Sequence, residues 1–169
     1  MKIWLYIGFG LTALWLQLTL APLLSVFGYK PNIALMILLL LGFRWRDEWL
    51  FLFGAVLGLM MDVFSHGVLG LYGISFFSAA FLSRYTGESI YENNLLISMG
   101  VISALSFGHG FVAVSLFESF YPEIPWWEWM FFKELPLAFI HGLYTPLLFL
   151  PLVWLEKRLK LTELLGIAL

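Results

Sequence analysis

Cysteine is absent from this chain, and charged residues are scarce. Without cysteine the protein has no thiol nucleophile, no disulfide and no zinc-thiolate site. Only 12% of the residues are Asp, Glu, Lys or Arg, against about 25% in ordinary soluble domains. The formal net charge of −2 provides no positive field for nucleic acid. Thiol chemistry is therefore excluded, and a soluble or nucleic-acid-binding protein is disfavoured.

Hydrophobic residues are the largest class in this chain. They make up 62% of the 169 residues, and the mean hydropathy is +0.92. This composition predicts an all-α integral membrane protein that forms a single membrane domain over residues 1–169. Crossing the bilayer uses nearly the whole chain, which leaves no soluble catalytic domain. No cofactor is expected.

Charged residues divide the chain into apolar windows. Six of these windows predict transmembrane helices, although several are shorter than the usual 20 residues or so. Two further segments, an aromatic one at residues 123–133 and an amphipathic tail at 156–169, are predicted to lie on the membrane surface. The predicted spans cover residues 3–27, 31–45, 48–64, 68–83, 94–119 and 135–155.

The distribution of Lys and Arg orients these spans. With the N-terminus inside the cell, seven of the nine basic residues fall in cytoplasmic segments, and only Lys30 and Lys133 fall outside. Cytoplasmic loops of membrane proteins carry such an excess of Lys and Arg. The sequence therefore predicts six spans with both termini in the cytoplasm.

Asp62 is the only Asp, Glu, Lys or Arg in a run of thirty-five residues, 49–83. A charge in an apolar segment costs a few kcal/mol on insertion scales, so it calls for a role or a position near water. The polar cluster at residues 65–67 predicts the break between two helices and places Asp62 close to the outer surface. Asp62 is expected to cap the next helix or to contact a partner or ligand.

A row of small residues leads to this carboxylate. Gly54 and Gly58 lie four residues apart, and Asp62 continues the row, so all three share one helix face. Small residues at this spacing let helices approach closely in lipid, either within one bundle or against the helix of a partner. Gly67 and Gly70 begin the following helix and predict a tight entry against the same row.

Few other residues are candidates for chemistry. Gln17, His109 and His141 are predicted to lie within the membrane, where hydrogen bonds between helices are their expected role. A proton relay or a metal site is disfavoured because no spacing within one segment matches a ligand motif. A serine hydrolase is disfavoured because no Gly-x-Ser-x-Gly occurs. His66 receives no assigned role.

Several short motifs follow one another along the chain. Pro31-Asn32 begins an apolar helix that ends in Arg44-x-Arg46, and the glycine row with Asp62 follows. The other motif residues are Leu16-Gln17 before Pro22, Gly70 in a Leu-Gly pair, and Gly142 and Pro146 before the basic end. In this order and spacing the motifs resemble the rod shape-determining protein MreD family, and the resemblance extends along most of the chain.

This resemblance implies a non-enzymatic scaffold subunit of the bacterial elongation machinery in the cytoplasmic (inner) membrane. Such a subunit would help to maintain rod cell shape by binding the single-span protein MreC. Through MreC it would act on RodA, a class B penicillin-binding protein and MreB in lateral peptidoglycan synthesis. Membrane lipids are the other expected partners, and nucleic acid is not.

The resemblance also supplies an alternative. The MreD family is thought to share its fold with the substrate-binding subunits of energy-coupling-factor transporters, which bind vitamins. A vitamin pocket needs several converging hydrogen-bonding groups in the outer half. That half of this sequence is dominated by Leu, Phe and Gly, with Asp62, His66 and His141 as the main exceptions. The sequence therefore favours the scaffold.

Overall fold

A computed structural model describes residues 2–45, 47–65, 68–89, 94–119 and 125–159. These residues are almost entirely helical and include no β-strand, which confirms the predicted all-α class. A π-helical turn, Met130–Glu134, joins the last two α-helices. The α-helices are α1 (Lys2–Thr19), α2 (Ile33–Trp45), α3 (Trp49–Ser65), α4 (Leu71–Ser89), α5 (Leu95–Glu118), α6 (Trp126–Trp129) and α7 (Leu135–Leu159).

The shortest of the long helices, α2, forms the centre of the bundle. All thirteen of its residues are buried, and it contacts α1, α3, α4, α5 and α7. A helix that is apolar on every side is expected inside a bundle rather than at its surface. Its shortness is therefore compatible with complete burial by the longer helices around it.

The other helices surround α2 through close pairings. Helices α3 and α4 form an antiparallel hairpin, α4 also packs on α2 and α5, and α5 packs on α7. Helix α1 contacts α2 and α3 and lies at the edge of the bundle. This arrangement leaves a narrow cleft between α1 and α7, with buried residues of α2 at its bottom.

The first helix ends before the predicted boundary. The sequence window covers residues 3–27, whereas α1 ends at Thr19. Pro22 explains the difference, because it lacks an N–H and disfavours helical backbone in the residue before it. The chain then reverses direction through Phe27 (φ 51°) and Gly28 (φ 84°), between backbone hydrogen bonds of Val26 with Tyr29.

The last helical stretch is longer than predicted. The described part of the 123–133 segment is helical from Trp126 and continues through the π-helical turn into α7. Helix α7 extends to Leu159 and contains Pro146 and Pro151. The rest of the predicted tail, residues 160–169, lies outside the described residues.

Two of the described helical stretches are long and apolar enough to cross a membrane. They are Leu95–Glu118 and Trp126–Arg158. Three shorter helices, α1, α2 and α3, are also apolar. Side chains such as Trp4, Phe139 and Leu150 are more than half exposed on the outside of the bundle. An apolar surface of this kind is typical of helices that face lipid.

Candidate functional site

Asp62 lies at the end of α3 and caps the start of α4. Its carboxylate accepts hydrogen bonds from the backbone N–H groups of Gly70 (2.8 Å), Tyr72 (2.9 Å) and Gly73 (3.3 Å). The side chain is only 3% exposed. The first N–H groups of a helix have no partner within the helix, and a negative charge there is favoured by the helix dipole. Asp62 therefore holds the two ends of the hairpin together.

A second group of polar residues caps the start of α2. Gln17 of α1 accepts hydrogen bonds from the N–H groups of Ile33 (2.6 Å) and Ala34 (3.3 Å). Asn32 accepts from the N–H of Leu35 at 3.0 Å, and its own N–H donates to Nε2 of His141 at 2.8 Å. Residues from α1 and α7 thus satisfy the free donors of the central helix.

The two histidines connect this group to α5 and α4. His141 accepts at Nε2, so its proton is on Nδ1, which lies 2.5 Å from Oγ of Ser106. His109 lies on α5 with Nε2 3.3 Å from Oγ of Ser75, whose hydroxyl donates to the carbonyl of Tyr72. His109 therefore carries its proton on Nε2 and leaves Nδ1 as an acceptor.

These polar residues surround a cavity of about 310 Å³ at the Asp62 end of the bundle. Its side chains come from all seven of the described α-helices, the π-helical turn and the segment between α1 and α2. The polar residues deeper in the cavity are Gln17, Asn32, Ser106, His109, Glu134 and His141, and Lys30 and Lys133 also line it. This convergence of polar groups was not predicted, because folding gathers residues that are far apart in sequence.

The glycine row of α3 packs against α4 of the same chain. A Cβ atom added to Gly54 would lie 2.8 Å from the carbonyl oxygen of Phe76, and one added to Gly58 would overlap the carbonyl of Tyr72. Both neighbours are backbone atoms that cannot move aside independently of α4. Close approach of the two helices therefore requires glycine at both positions.

Replacing Gly58 by alanine is expected to lower the free energy of unfolding by about 1–3 kcal/mol, because the added methyl group forces α3 and α4 apart. Gly100→Ala on α5 is the matched control, since a Cβ atom added there would have no neighbour within 4 Å. Alanine favours helical backbone more than glycine does, so this control should not lower the free energy of unfolding. Unfolding in a denaturing detergent series measures both. Equal losses in the two variants would show that the close contact is unimportant.

Other residues selected from the sequence also have structural positions. Pro31 is buried just before α2, and Gly70 has φ +96° immediately before α4, a conformation that favours glycine. Gly142 of α7 faces Ser103 and the carbonyl of Met99 on α5. Pro146 lies inside α7. Gly67 and His66 are outside the described residues.

A buried ion pair at the opposite, Arg44 end of α2 was not predicted. Arg44 donates from Nε and Nη2 to the carboxylate of Glu156 at 2.6–3.0 Å, and Trp45 Nε1 donates to the same carboxylate at 2.7 Å. Both charged side chains are about 95% buried. The pair joins the end of α2 to the end of α7, which the sequence analysis placed in a surface-bound tail.

An apolar groove of about 390 Å³ lies between α1 and α7 and reaches α2 at its bottom, where the α2 residues are at most 8% exposed. Its floor is formed by α2, from Ile33 to Leu41, and its walls by residues such as Leu16 and Leu148. At the Asp62 end the hydroxyl of Tyr144 donates to the carbonyl of Leu24 at 3.2 Å. The groove therefore follows most of the length of the central helix.

The described residues contain no group of three or more His, Cys, Asp or Glu side chains that could hold a metal ion. The polar residues around Asp62 and those at the start of α2 form hydrogen bonds that join helices. Comparison of the chain with models of protein families, with curated proteins and with solved structures finds no match.

Proposed function

We propose that this protein is a non-enzymatic membrane scaffold subunit of the bacterial elongation machinery, with six spans and both termini in the cytoplasm. It would bind an MreC-like single-span protein and, through it, support lateral peptidoglycan synthesis and rod shape. The resemblance to the MreD family motivates the proposal. The positions of Gln17, Asn32 and Asp62 support it, because these motif residues join helices.

The apolar groove is the observation that supports this proposal most directly. The thirteen-residue α2 that forms its floor is about 20 Å long, which is two thirds of a bilayer core of about 30 Å. The lining carries no charged side chain. In lipid, packing and close approach drive helix association, so a long concave strip favours one apolar helix over scattered contacts. A single-span partner supplies one such helix.

Filling the groove is expected to release the partner. Leu147 on α7 lines the groove and is 54% exposed, so Leu147→Trp adds bulk there without disturbing the core. We expect capture of the MreC-like protein to fall about tenfold, corresponding to roughly 1.4 kcal/mol of lost packing. Co-purification of the two proteins from membranes in mild detergent measures this.

Leu150→Trp provides the control on the same helix. Leu150 is 58% exposed and lies outside the groove. This variant should capture the partner as well as the unmodified protein does. If Leu147→Trp also captures normally and both variants remain folded, the partner does not occupy the groove.

The polar cavity favours a second candidate, a small-molecule (vitamin)-binding subunit of an energy-coupling-factor type transporter. Such a subunit needs a concave site with a few converging polar groups, and the cavity has this character. The two candidates differ in what purifies with the protein. A stoichiometric vitamin favours the transporter subunit, and an MreC-like protein favours the scaffold.

A further inference from the structure

Two exposed lysines line the polar cavity although the sequence separates them by about a hundred residues. Lys30 follows the turn after α1, and Lys133 lies in the π-helical turn before α7. They are also the two basic residues that the charge distribution assigns to the outer side. Their shared position is therefore a specific feature of the fold.

One hydrogen bond joins the two segments that carry the lysines. The hydroxyl of Tyr29 donates to the carbonyl of Phe132 at 2.6 Å, which joins the residues immediately before each lysine. The Lys133 ammonium lies 4.2 Å from the centroid of the Trp129 ring, and that ring stacks on Phe117 of α5. These aromatic contacts orient Lys133, and the neighbouring Glu134 carboxylate attracts the same ammonium. An ammonium group has three donor hydrogens, so it can bind an anion as well.

The interior of the cavity offers uncharged hydrogen-bonding groups. Nδ1 of His109 is an acceptor, and Ser106, which accepts from His141, has a hydroxyl hydrogen to donate. Gln17 and Asn32 line the same space. Glu134 is the one carboxylate among the described cavity residues; it packs against Gly110 of α5 and attracts the ammonium of Lys133. The cavity residues thus carry two positive charges and one negative charge.

We infer that this cavity binds a phosphate ester of glycerol size, with its phosphate between Lys30 and Lys133 and its hydroxyl groups toward Ser106 and His109. A volume of about 310 Å³ holds such a group in full. The same chemistry occurs in the headgroup of phosphatidylglycerol and in soluble glycerol 3-phosphate. The inference goes beyond the scaffold role, which needs no bound ligand.

Native mass spectrometry of the purified full-length protein tests this site. Phosphatidylglycerol, phosphatidylcholine and glycerol 3-phosphate are the probes. We expect phosphatidylglycerol to bind more tightly than phosphatidylcholine, whose headgroup carries a positive charge and no free hydroxyl. The Lys30→Ala/Lys133→Ala double variant should bind phosphatidylglycerol about 30-fold more weakly, since each lysine near a membrane surface contributes roughly fivefold.

A matched control variant distinguishes binding in this cavity from general attraction of the anionic lipid to positive charges. Lys157→Ala/Arg158→Ala also removes two exposed positive charges, but from the Arg44 end of the bundle. This control should retain phosphatidylglycerol. Ala113→Leu fills the cavity without changing any charge and should weaken binding as well. Thermal unfolding in detergent checks that each variant is folded.

The possible results distinguish a soluble ligand from a lipid headgroup. Competition by glycerol 3-phosphate would identify a soluble ligand, and binding of the lipid without such competition would identify a lipid headgroup; both support the inference. It is overturned if none of the probes binds, or if the two double variants lose phosphatidylglycerol equally. Capture of the MreC-like protein is measured separately, so failure of the scaffold proposal would leave this result unchanged.

Discussion

Asp62→Ala is expected to lower the free energy of unfolding by roughly 2–4 kcal/mol. The substitution leaves three backbone N–H groups at the start of α4 without their acceptor, and each such buried group costs about 1–3 kcal/mol. Water can reach the partly buried donors and offset a share of this cost. Asp62→Asn keeps one acceptor oxygen, so its free energy of unfolding should lie between those of Asp62→Ala and the unmodified protein. Unfolding in a denaturing detergent series provides the measurement.

Asn94 offers the control for Asp62, because it caps α5 in an exposed position. Its side chain accepts from the N–H of Leu96 at 2.9 Å. An exposed cap of this kind contributes about 1 kcal/mol, and water replaces it when it is removed. Asn94→Ala should therefore cost clearly less than Asp62→Ala. If the two variants lose equal stability, the buried carboxylate has no special role in the hairpin.

The capping role of Asp62 could be predicted from the sequence because its contacts are local, whereas contacts between distant helices could not. Its partners lie within eleven residues along the chain, and a carboxylate just before a glycine-rich helix start is a pattern that sequence alone reveals. The all-α class likewise follows from composition. The glycine row left two alternatives open, because the periodicity of one helix does not say whether its neighbour belongs to the same chain.

Contacts between distant helices depend on how each helix is rotated about its axis. The bonds of Asn32 to His141 and of Tyr29 to Phe132 span more than a hundred residues, so no spacing rule connects them. The charge distribution placed Lys30 and Lys133 on one side of the membrane, yet only the packing of α1, α2 and α7 brings both lysines to one cavity. The cavity was therefore not predicted, although Gln17, Asn32, His109 and His141 had each been selected from the sequence.

Glu156→Ala is expected to destabilise the protein by about 3 kcal/mol or more, because it removes the Glu156 carboxylate that pairs with the buried guanidinium of Arg44. The N–H of Trp45 loses its acceptor at the same time. Unfolding in detergent measures the loss. The pair of Arg84 with Glu48 is the control. Glu48 is 84% exposed and the paired atoms are 3.8 Å apart, so Glu48→Ala should cost at most about 0.5 kcal/mol.

The double variant Arg44→Met/Glu156→Met distinguishes an ion pair from simple loss of packing. Burial of both charges is expensive, so replacing both partners by apolar side chains of similar length removes the cost together with the attraction. The double variant should therefore be more stable than Glu156→Ala, and a cycle completed with Arg44→Met and Glu156→Met should give a coupling of about 2 kcal/mol. Additive losses from the two single methionine variants would mean that Arg44 and Glu156 stabilise the junction of α2 and α7 independently.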